Sequence, residues 1–461
     1  MTLKYDTLIL GAGPAGIYLG LTLAKKGVSV IILEQESREK VGLKMDQFHM
    51  DAYTFEEFDI IPPPTPGTDE YITKFDITNH YSPTGKIIQK MNWPVIAMRF
   101  PFFIQRLIKI AERDGVRLEF SSRFKNGIYD KKKLVGIVVD KNNEEYEYFG
   151  RIIVDASGTN AILRRSLPDD YGVETFNIED NEKMYVIQRV IRWLKPDETH
   201  PGTDSKSNTW MYYKNWIAPH FKPNANIFGN GQPGGFKNAE KANKIFLENI
   251  SFPPYDILEE HRAKTVYRRS PYSLVGDGFF CIGDSACMTK PFNGEGISLS
   301  WTVANIATEI FIEALKSPEY ISKNKLWDIN VRYYKDIGAK LAALLAQIPV
   351  AANTSKKEME YLFKKGVIFS GRDFEDMNKF NELRIGLGRF IKMVLIFLWG
   401  LLTRQFSRKT ISSMLKYMKI SNKIRKKYEK FPENINEFNE WVQSTEELWS
   451  PVEKMKFSLN N

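Results

Sequence analysis

The apolar positions along the chain follow two different periods. Residues 5–10, YDTLIL, form a continuous apolar run of strand length. After a glycine turn, IYLGLTLAKKG (17–27) has helical spacing and stops at Gly27. VSVIILE (28–34) is a second strand, and it ends in Glu34. Strand-to-helix transitions recur further on. In AMRFPFFIQRLIKIAERDG (97–115) Arg99 precedes a helical segment that stops at Gly115. In RIIVDASGTNAILRR (151–165) an apolar strand runs into Asp155, then a turn of small residues, then a basic segment. In the stretch 278–315 a strand ends at Gly283-Asp284, a loop follows, and a long helix begins near Gly294–Gly296. Beyond residue 325 the spacing turns helical, as in KLAALLAQIPVAANTS (340–355), with no new glycine loop. This alternation predicts an α/β fold with a helical C-terminal region.

Length and composition narrow the class. A chain of 461 residues exceeds one ordinary core and predicts two or three domains. Apolar residues at 43% and aromatics at 13% support a large buried core and argue against disorder. The net charge is +9, yet residues 389–430 alone hold twelve Lys and Arg against one acid, Glu429. The rest is close to balanced, which argues against general nucleic-acid binding. Two cysteines, Cys281 and Cys287, imply a reducing compartment. They and five scattered histidines give no familiar metal spacing, so no metal site is expected. The N-terminal run leads into a glycine turn rather than a cleavage site, and a cytoplasmic location is expected.

The candidate chemistry lies in the glycine turns. GAGPAG (11–16) sits between a strand and a helix, and Glu34 closes the next strand. This is the dinucleotide-binding arrangement. Gly11 permits the tight turn, Gly13 lets a pyrophosphate approach the backbone, and Gly16 lets helix and strand pack closely. The helix N-terminus offers N–H groups and partial positive charge to phosphates. Glu34 can accept from both ribose hydroxyls and disfavours a 2′-phosphate, which points to FAD or NAD. The second turn, CIGDSACMTKPFNGEG (281–296), decides for FAD. A flavin and its ribityl chain extend well beyond the first loop. Asp284 would accept from a ribityl hydroxyl. The helix starting near Gly296 would aim its N–H groups at the pyrimidine edge of the flavin, which becomes negative on reduction.

GAGPAG with Glu34, Arg99, DASGTNAILRR and GFFCIGDSACMTKPFNGEGI together resemble the geranylgeranyl reductase family of FAD-dependent oxidoreductases, which has the p-hydroxybenzoate hydroxylase-like fold. The resemblance covers about residues 1–325. It implies a Rossmann-like FAD-binding domain, an inserted β-sheet substrate/catalytic domain and a C-terminal helical region. The implied boundaries are 1–45, 85–165 and 266–325 for the FAD-binding domain. Residues 46–84 and 166–265 would form the substrate domain, and 326–461 the helical one. The cofactor residues implied are Gly11, Gly13, Ala15, Gly16, Glu34, Gly42, Arg99, Phe124, Asp155, Gly283, Asp284, Pro291, Gly294, Gly296 and Ile297. Family members carry a Tyr-x-Trp-x-Phe-Pro segment and a later Gly-x-Gly that line a lipid cavity. Trp216, Pro219, Gly229 and Gly231 match it, the tyrosine is displaced to Tyr213, and Ala218 stands where phenylalanine is expected. Pro291 is a further cavity candidate. Many members also have a cysteine beside a glycine soon after the second strand. Here the pair is Val41-Gly42, so that redox role is absent.

The implied activity is reduction of isoprenoid C=C bonds in a geranylgeranyl lipid or diphosphate, with electrons from reduced nicotinamide or ferredoxin. The rival on the same fold is a flavin-dependent monooxygenase or halogenase. A quinone-reducing flavoprotein with an iron–sulfur cluster is disfavoured, because two cysteines cannot supply four ligands. The proton donor is not identified: His49 and His80 are candidates, as well as ordinary hydrogen-bonded histidines. Cys281 and Cys287 read as packing residues, and GNGQPGG (229–235) reads as a turn. MVLIFLWGLL (393–402) is too short to cross a hydrocarbon core of about 30 Å. It is either a buried helix or a monotopic element, which the basic stretch 404–430 would hold peripherally on the inner face of a membrane.

Overall fold

A computed structural model describes residues 3–195, 207–211, 214–249, 253–348, 350, 354–367, 371–379 and 386–454. Elements are numbered along the chain. Five strands form a parallel sheet: β1 (Leu3–Leu10), β2 (Val30–Leu33), β6 (Arg117–Glu119), β9 (Glu144–Asp155) and β16 (Phe279–Cys281), in the order β6-β2-β1-β9-β16. The short β15 (Val275–Gly276) pairs antiparallel with β16, and the hairpin β7 (Arg123–Asp130)–β8 (Lys133–Lys141) joins through β8 to β9. Parallel strands covered on both faces need apolar side chains on both sides. Accordingly Val30–Leu33 and Phe279–Cys281 are buried throughout.

Helix α1 (Pro14–Ala24) makes the crossover from β1 to β2. The four-residue α2 is Thr54–Glu57. Helix α3 (Phe100–Arg113) buries Phe103, Ile104, Leu107, Ile108 and Ala111, the one-face spacing its sequence predicts. Helix α5 (Ile297–Lys316) lies along α1. Trp301 donates from its indole N–H to the Pro14 carbonyl at 3.0 Å, and the Tyr18 and Trp301 rings stack at 4.6 Å.

The second sheet has the order β14 (Tyr255–Val266), β10 (Lys183–Trp193), β13 (Ala225–Pro233), β12 (Asn215–Pro219), β11 (Ser207–Met211), β4 (Tyr71–Tyr81), β5 (Ile88–Arg99), β3 (Gln47–Asp51). It is rolled. The Gln188 side chain, on β10, exchanges hydrogen bonds of 3.0 and 2.8 Å with the backbone of Gln47, on β3 at the opposite edge. Helix α4 (Phe236–Asn249) covers one face through Phe246, against Phe228, Ile191 and Ile217. The other face carries Trp216, Ala218, Ile227 and Val190, as the pairing of Ala218 with Ile227 and Ile227 with Val190 requires.

Two findings differ from the sequence expectation. Residues 88–99 belong to the second sheet, so the chain returns to the first layer at Phe100 rather than near residue 85. The turn expected over 229–235 begins only at Gly234, because Gly229 and Gly231 lie inside β13. Glycine suits that strand for a packing reason. The Trp216 indole lies over Gly229, where a side-chain carbon would come within 2.2 Å of the ring.

The C-terminal helices are α6 (Lys323–Tyr333), α7 (Ala339–Leu345), α8 (Lys356–Lys365), α9 (Gly371–Asn378), α10 (Leu387–Leu402), α11 (Arg408–Tyr428) and α12 (Phe438–Glu453). α6, α7, α11 and α12 share the core of the first sheet through Tyr334, Tyr428, Phe431 and Trp441. α9 instead packs on β5 of the second sheet.

Candidate functional site

The two glycine turns, about 270 residues apart in sequence, meet in space. A side-chain carbon at Gly283 would stand 3.0 Å from the Cβ of Ala15, and Gly283 has φ +72°. Gly11 (φ +111°) brings its backbone against Ala156, where a side-chain carbon would lie 2.4 Å from the carbonyl oxygen. The third glycine, Gly16, packs on the Ala156 methyl and on Ile9. Gly13 differs from both, since a side-chain carbon there would meet open space. Steric need fixes Gly11 and Gly16. Open space in front of Gly13, at the N-cap of α1, is what a pyrophosphate requires.

Glu34 reaches back into the first turn. Its Oε2 accepts from the Ala12 N–H at 2.8 Å and its Oε1 from the Glu36 N–H at 2.9 Å. The segment carrying Phe124 runs beside it, with the Ser122 N–H donating to the Glu34 carbonyl at 2.8 Å. Asp155 is fully buried and engaged: Oδ1 accepts from Ser157, and Oδ2 from the Arg164 N–H at 2.7 Å. The carboxylate therefore shapes the turn after β9 rather than presenting itself to a ligand. Arg99 is also engaged. Its guanidinium meets Asp46 at 3.3 Å and lies over the Phe102 and Phe221 rings. Burial pushes Asp46 up, but the hydrogen bond from His220 and the charge of Arg99 outweigh it and hold the carboxyl below its ordinary value. Gly42 (φ +93°) packs against Pro101 and Ile104 at the start of α3.

At the second turn Asp284 is half-buried and accepts from the Thr289 hydroxyl at 3.2 Å. Desolvation pushes its carboxyl up to about 6. Gly294 has φ +78°, and a side-chain carbon at Gly296 would lie 2.5 Å from the Met288 carbonyl oxygen. Pro291 is buried, and Ile297 opens α5. These are the features of a cradle for a long cofactor with phosphates at one end and a ring at the other. FAD fits such a cradle: Gly13 would face its pyrophosphate, Asp284 would accept from its ribityl chain, and the glycine-lined loop would pass the ring.

The helix start differs from expectation in one respect. Glu295 folds its own carboxylate onto α5, accepting from the Ser298 N–H at 2.7 Å and the Ser298 hydroxyl at 2.7 Å. That anion is balanced inside the protein. Lys290, 1% exposed, places Nζ 2.9 Å from Glu295 and 3.6 Å from Asp51. Asp51 accepts from the Trp93 indole N–H, and burial pushes its carboxyl up to about 6 against the opposing pull of Lys290. His49 lies on the same face of β3, its ring 5.5 Å from Trp93, and burial pushes it down to about 4. Sequence reading did not find the Asp51–Lys290–Glu295 cluster. Lys290 and Glu295 were visible in the loop, but their partner Asp51 lies about 240 residues away.

Beside the cluster lies an apolar group drawn from distant segments. Phe75, Met91, Trp93, Val95, Ala97 and Ala218 of the second sheet meet Phe374 and Met377 of α9, with Phe292 of the glycine loop against them. Asn293 donates to Asn378 at 3.0 Å, which ties the loop to α9. Of the cavity candidates, Ala218 is in this group. Trp216 shares its face but packs toward Val190, Ala225 and Ile227. The Pro219 carbonyl accepts from Gln47 at 3.2 Å, and Tyr213 lies outside the described residues. His80 packs edge-on to Trp210 and Phe363, and burial pushes it down to about 4. Cys281 and Cys287 are buried among apolar side chains, and desolvation pushes the Cys287 thiol up to about 12. No cluster of metal-ligating side chains exists among the described residues.

The profile of the FAD binding domain family matches residues 4–56, which include the first glycine turn and Glu34. The chain is a flavin-dependent oxidoreductase that uses FAD, and its likeness is to geranylgeranyl reductases. Over 463 aligned residues it is 24% identical to a digeranylgeranylglycerophospholipid reductase of Sulfolobus acidocaldarius, covering 98% of this chain and 99% of that protein. Two solved structures share the fold. A geranylgeranyl bacteriochlorophyll reductase-like protein of Thermoplasma acidophilum has a TM-score of 0.62 at 15% identity, covering 85% of this chain and 96% of that one. A flavin-dependent brominase has a TM-score of 0.61 at 19% identity, covering 81% and 90%.

Proposed function

We propose that the chain hydrogenates isoprenoid C=C bonds of a geranylgeranyl lipid or geranylgeranyl diphosphate. Bound FAD, once reduced by a nicotinamide or ferredoxin donor, supplies the hydride. The observation that carries the reading is the apolar group around Ala218. Its aromatic and apolar side chains lie beside Asp51 and His49, and Phe292 brings it directly onto the glycine loop. An isoprenoid chain offers nothing to hydrogen-bond and would pack against side chains of this kind. An isolated alkene is not polarised, so exclusion of water and placement carry much of the rate. Trp93, Phe374 and Phe292 serve both. Asp51 is a buried carboxyl at this boundary, pushed up to about 6 by burial, and Lys290 and Trp93 hold it in place. Trp216 lies on the face of Ala218 and Pro291 precedes Phe292 in the loop, whereas Pro219, the next residue along β12, points to the opposite face and is not part of this wall. The whole-length likeness to a lipid reductase supports the reading. Peripheral contact with the inner face of a membrane belongs to it, because the substrate must leave a bilayer.

Anaerobic photoreduction of the flavin followed by mixing with a geranylgeranyl lipid in detergent tests this. Reoxidation matched by a product heavier by pairs of hydrogens is the expected result. Reoxidation only by oxygen, with a hydroxylated or, given halide, halogenated product, would establish the monooxygenase or halogenase reading instead.

A further inference from the structure

Helix α10 presents an apolar face that no described residue covers. Leu387, Phe390, Ile391, Val394, Leu395, Leu398, Trp399 and Leu402 are each 40–78% exposed. Their spacing of one, three and four residues puts them on one side of the helix. Gly400 is its buried residue, set against the Tyr361 ring of α8. The Tyr361 hydroxyl donates to the Ile396 carbonyl at 2.8 Å, and the Phe397 and Phe406 rings meet at 5.4 Å. The helix is thus fastened along one narrow strip, and no described residue covers the opposite side. An apolar patch of this size marks a docking surface.

Charge and length say what docks. A groove of about 520 Å³ between α8 and α10 is lined by Ile391, Leu395 and Trp399 together with Lys364, Lys365 and Lys392. Apolar and cationic lining side by side match the acyl chains and the anionic headgroup of a phospholipid. Sixteen residues span about 24 Å, short of the ~30 Å of a hydrocarbon core. No described helix is long and apolar enough to cross a membrane. A helix that is too short to cross, apolar on its outer side and flanked by lysines lies in the plane of the interface.

We infer that α10 inserts its outer face into an anionic phospholipid surface, with the Lys364–Lys365–Lys392 groove taking a headgroup. This rests on the lipid-reductase reading and adds a location to it. Arg389 of α10 pairs with Asp373 of α9 at 2.6 Å, and α9 carries the Phe374 and Met377 that close the apolar group. The bilayer would therefore lie one helix away from the place proposed for the isoprenoid chain. The basic helix α11 is the lesser contributor. Tyr417, Ser421, Ile424 and Tyr428 bury one of its faces in the helical core, and Ser421 donates to the Ala343 carbonyl at 2.8 Å.

Flotation of the FAD-loaded protein with vesicles, without substrate, tests the inference. The protein should float with phosphatidylcholine–phosphatidylglycerol vesicles, and more weakly with phosphatidylcholine alone. Changing Lys364, Lys365 and Lys392 to Ala should weaken the anionic case by roughly fivefold per lysine, and salt should do the same. Leu395→Ser with Leu398→Ser should abolish flotation on both vesicles while leaving flavin content and turnover of detergent-dispersed lipid unchanged. Brominated lipid should quench tryptophan emission in the wild type and less in Trp399→Phe. A wild type that floats with neither vesicle overturns the inference and leaves the reductase reading standing. A dimer that dissociates on Leu395→Ser with Leu398→Ser would assign the face to a second copy and equally overturn it.

Discussion

The FAD cradle and the apolar group beside it are built from different material. The cradle is backbone. Gly11 needs φ +111° and contact with Ala156, Gly283 sits against Ala15, and Gly296 against the Met288 carbonyl. Side chains contribute at its edges, through Glu34 and Asp284. The apolar group is all side chain, gathered from β4, β5, β12, the glycine loop and α9. Backbone geometry tolerates one residue type at a given place, so its signature survives in the sequence. Apolar walls tolerate many residues of suitable volume, so theirs does not. The same division explains why a reductase-like protein and a brominase share this fold at 15% and 19% identity. On the proposed reading the cradle holds the cofactor, while the wall and the charged cluster behind it would select what the cofactor acts on.

If the division holds, damage to one region leaves the other readable. The largest effect should come from Lys290→Met, where the two regions touch. It strands the Asp51 and Glu295 carboxylates, and breaking a buried ion cluster this way costs about 3–5 kcal/mol. Urea unfolding of the apoprotein would measure it, and a loss under about 1 kcal/mol would mean that Lys290 is not the counter-charge. Asp284→Ala should weaken FAD binding by about 1.5–3 kcal/mol, the worth of a hydrogen bond to a charged group. Equilibrium dialysis against FAD reads this directly, and unchanged affinity would remove Asp284 from the cradle. Ala218→Trp overfills the apolar wall at a cost of about 1–3 kcal/mol. It should stop lipid turnover while bound flavin stays at the wild-type level, and loss of both together would erase the distinction between the regions.

The smallest effect concerns pH. Apo Asp284 is raised to about 6 by desolvation, and a ribityl hydroxyl would stabilise its charged form. Binding FAD must then expel a proton below that pH. Affinity should be flat above about 6 and fall by at most about tenfold per unit below it, and Asp284→Asn should lose that dependence. For stability the signs are opposed. Asp51 and Asp284, raised, make the fold less stable as pH climbs from about 4 to 6. His49 and His80, lowered, make it more stable over a similar span. The two carboxyls and the two imidazoles work in opposite directions, so Asp284→Asn should reveal itself in FAD titrations more clearly than in unfolding curves.

What could be read from the chain follows the same line. GAGPAG with Glu34 at the end of the next strand was legible because β1, α1 and β2 are contiguous and each glycine has a steric reason. That the second turn belongs beside the first was legible from the length of the cofactor. Three things were not. Residues 88–99 read as part of the first layer, but cross-strand pairing with β3 and β4 holds them in the second. Gly229 read as part of a turn, whereas it is a seat for the Trp216 ring. The Asp51–Lys290 contact is set by a fold that joins distant segments, and no local spacing records it. The run MVLIFLWGLL left burial and exposure open, because a uniformly apolar stretch does not say which side faces the protein. Tyr361 lies on one side of it and five exposed apolar side chains lie on the other, so the helix is half fastened and half exposed.

Mass spectrometry of membrane lipids tests the central claim most directly, in cells that make geranylgeranyl lipids and express either this chain or its Ala218→Trp variant. The account predicts lipids heavier by two hydrogens per reduced double bond with the wild type, and unsaturated lipids with the variant despite a full complement of FAD. Unsaturated lipids in both, with the wild type flavin-loaded and a donor present, would contradict it.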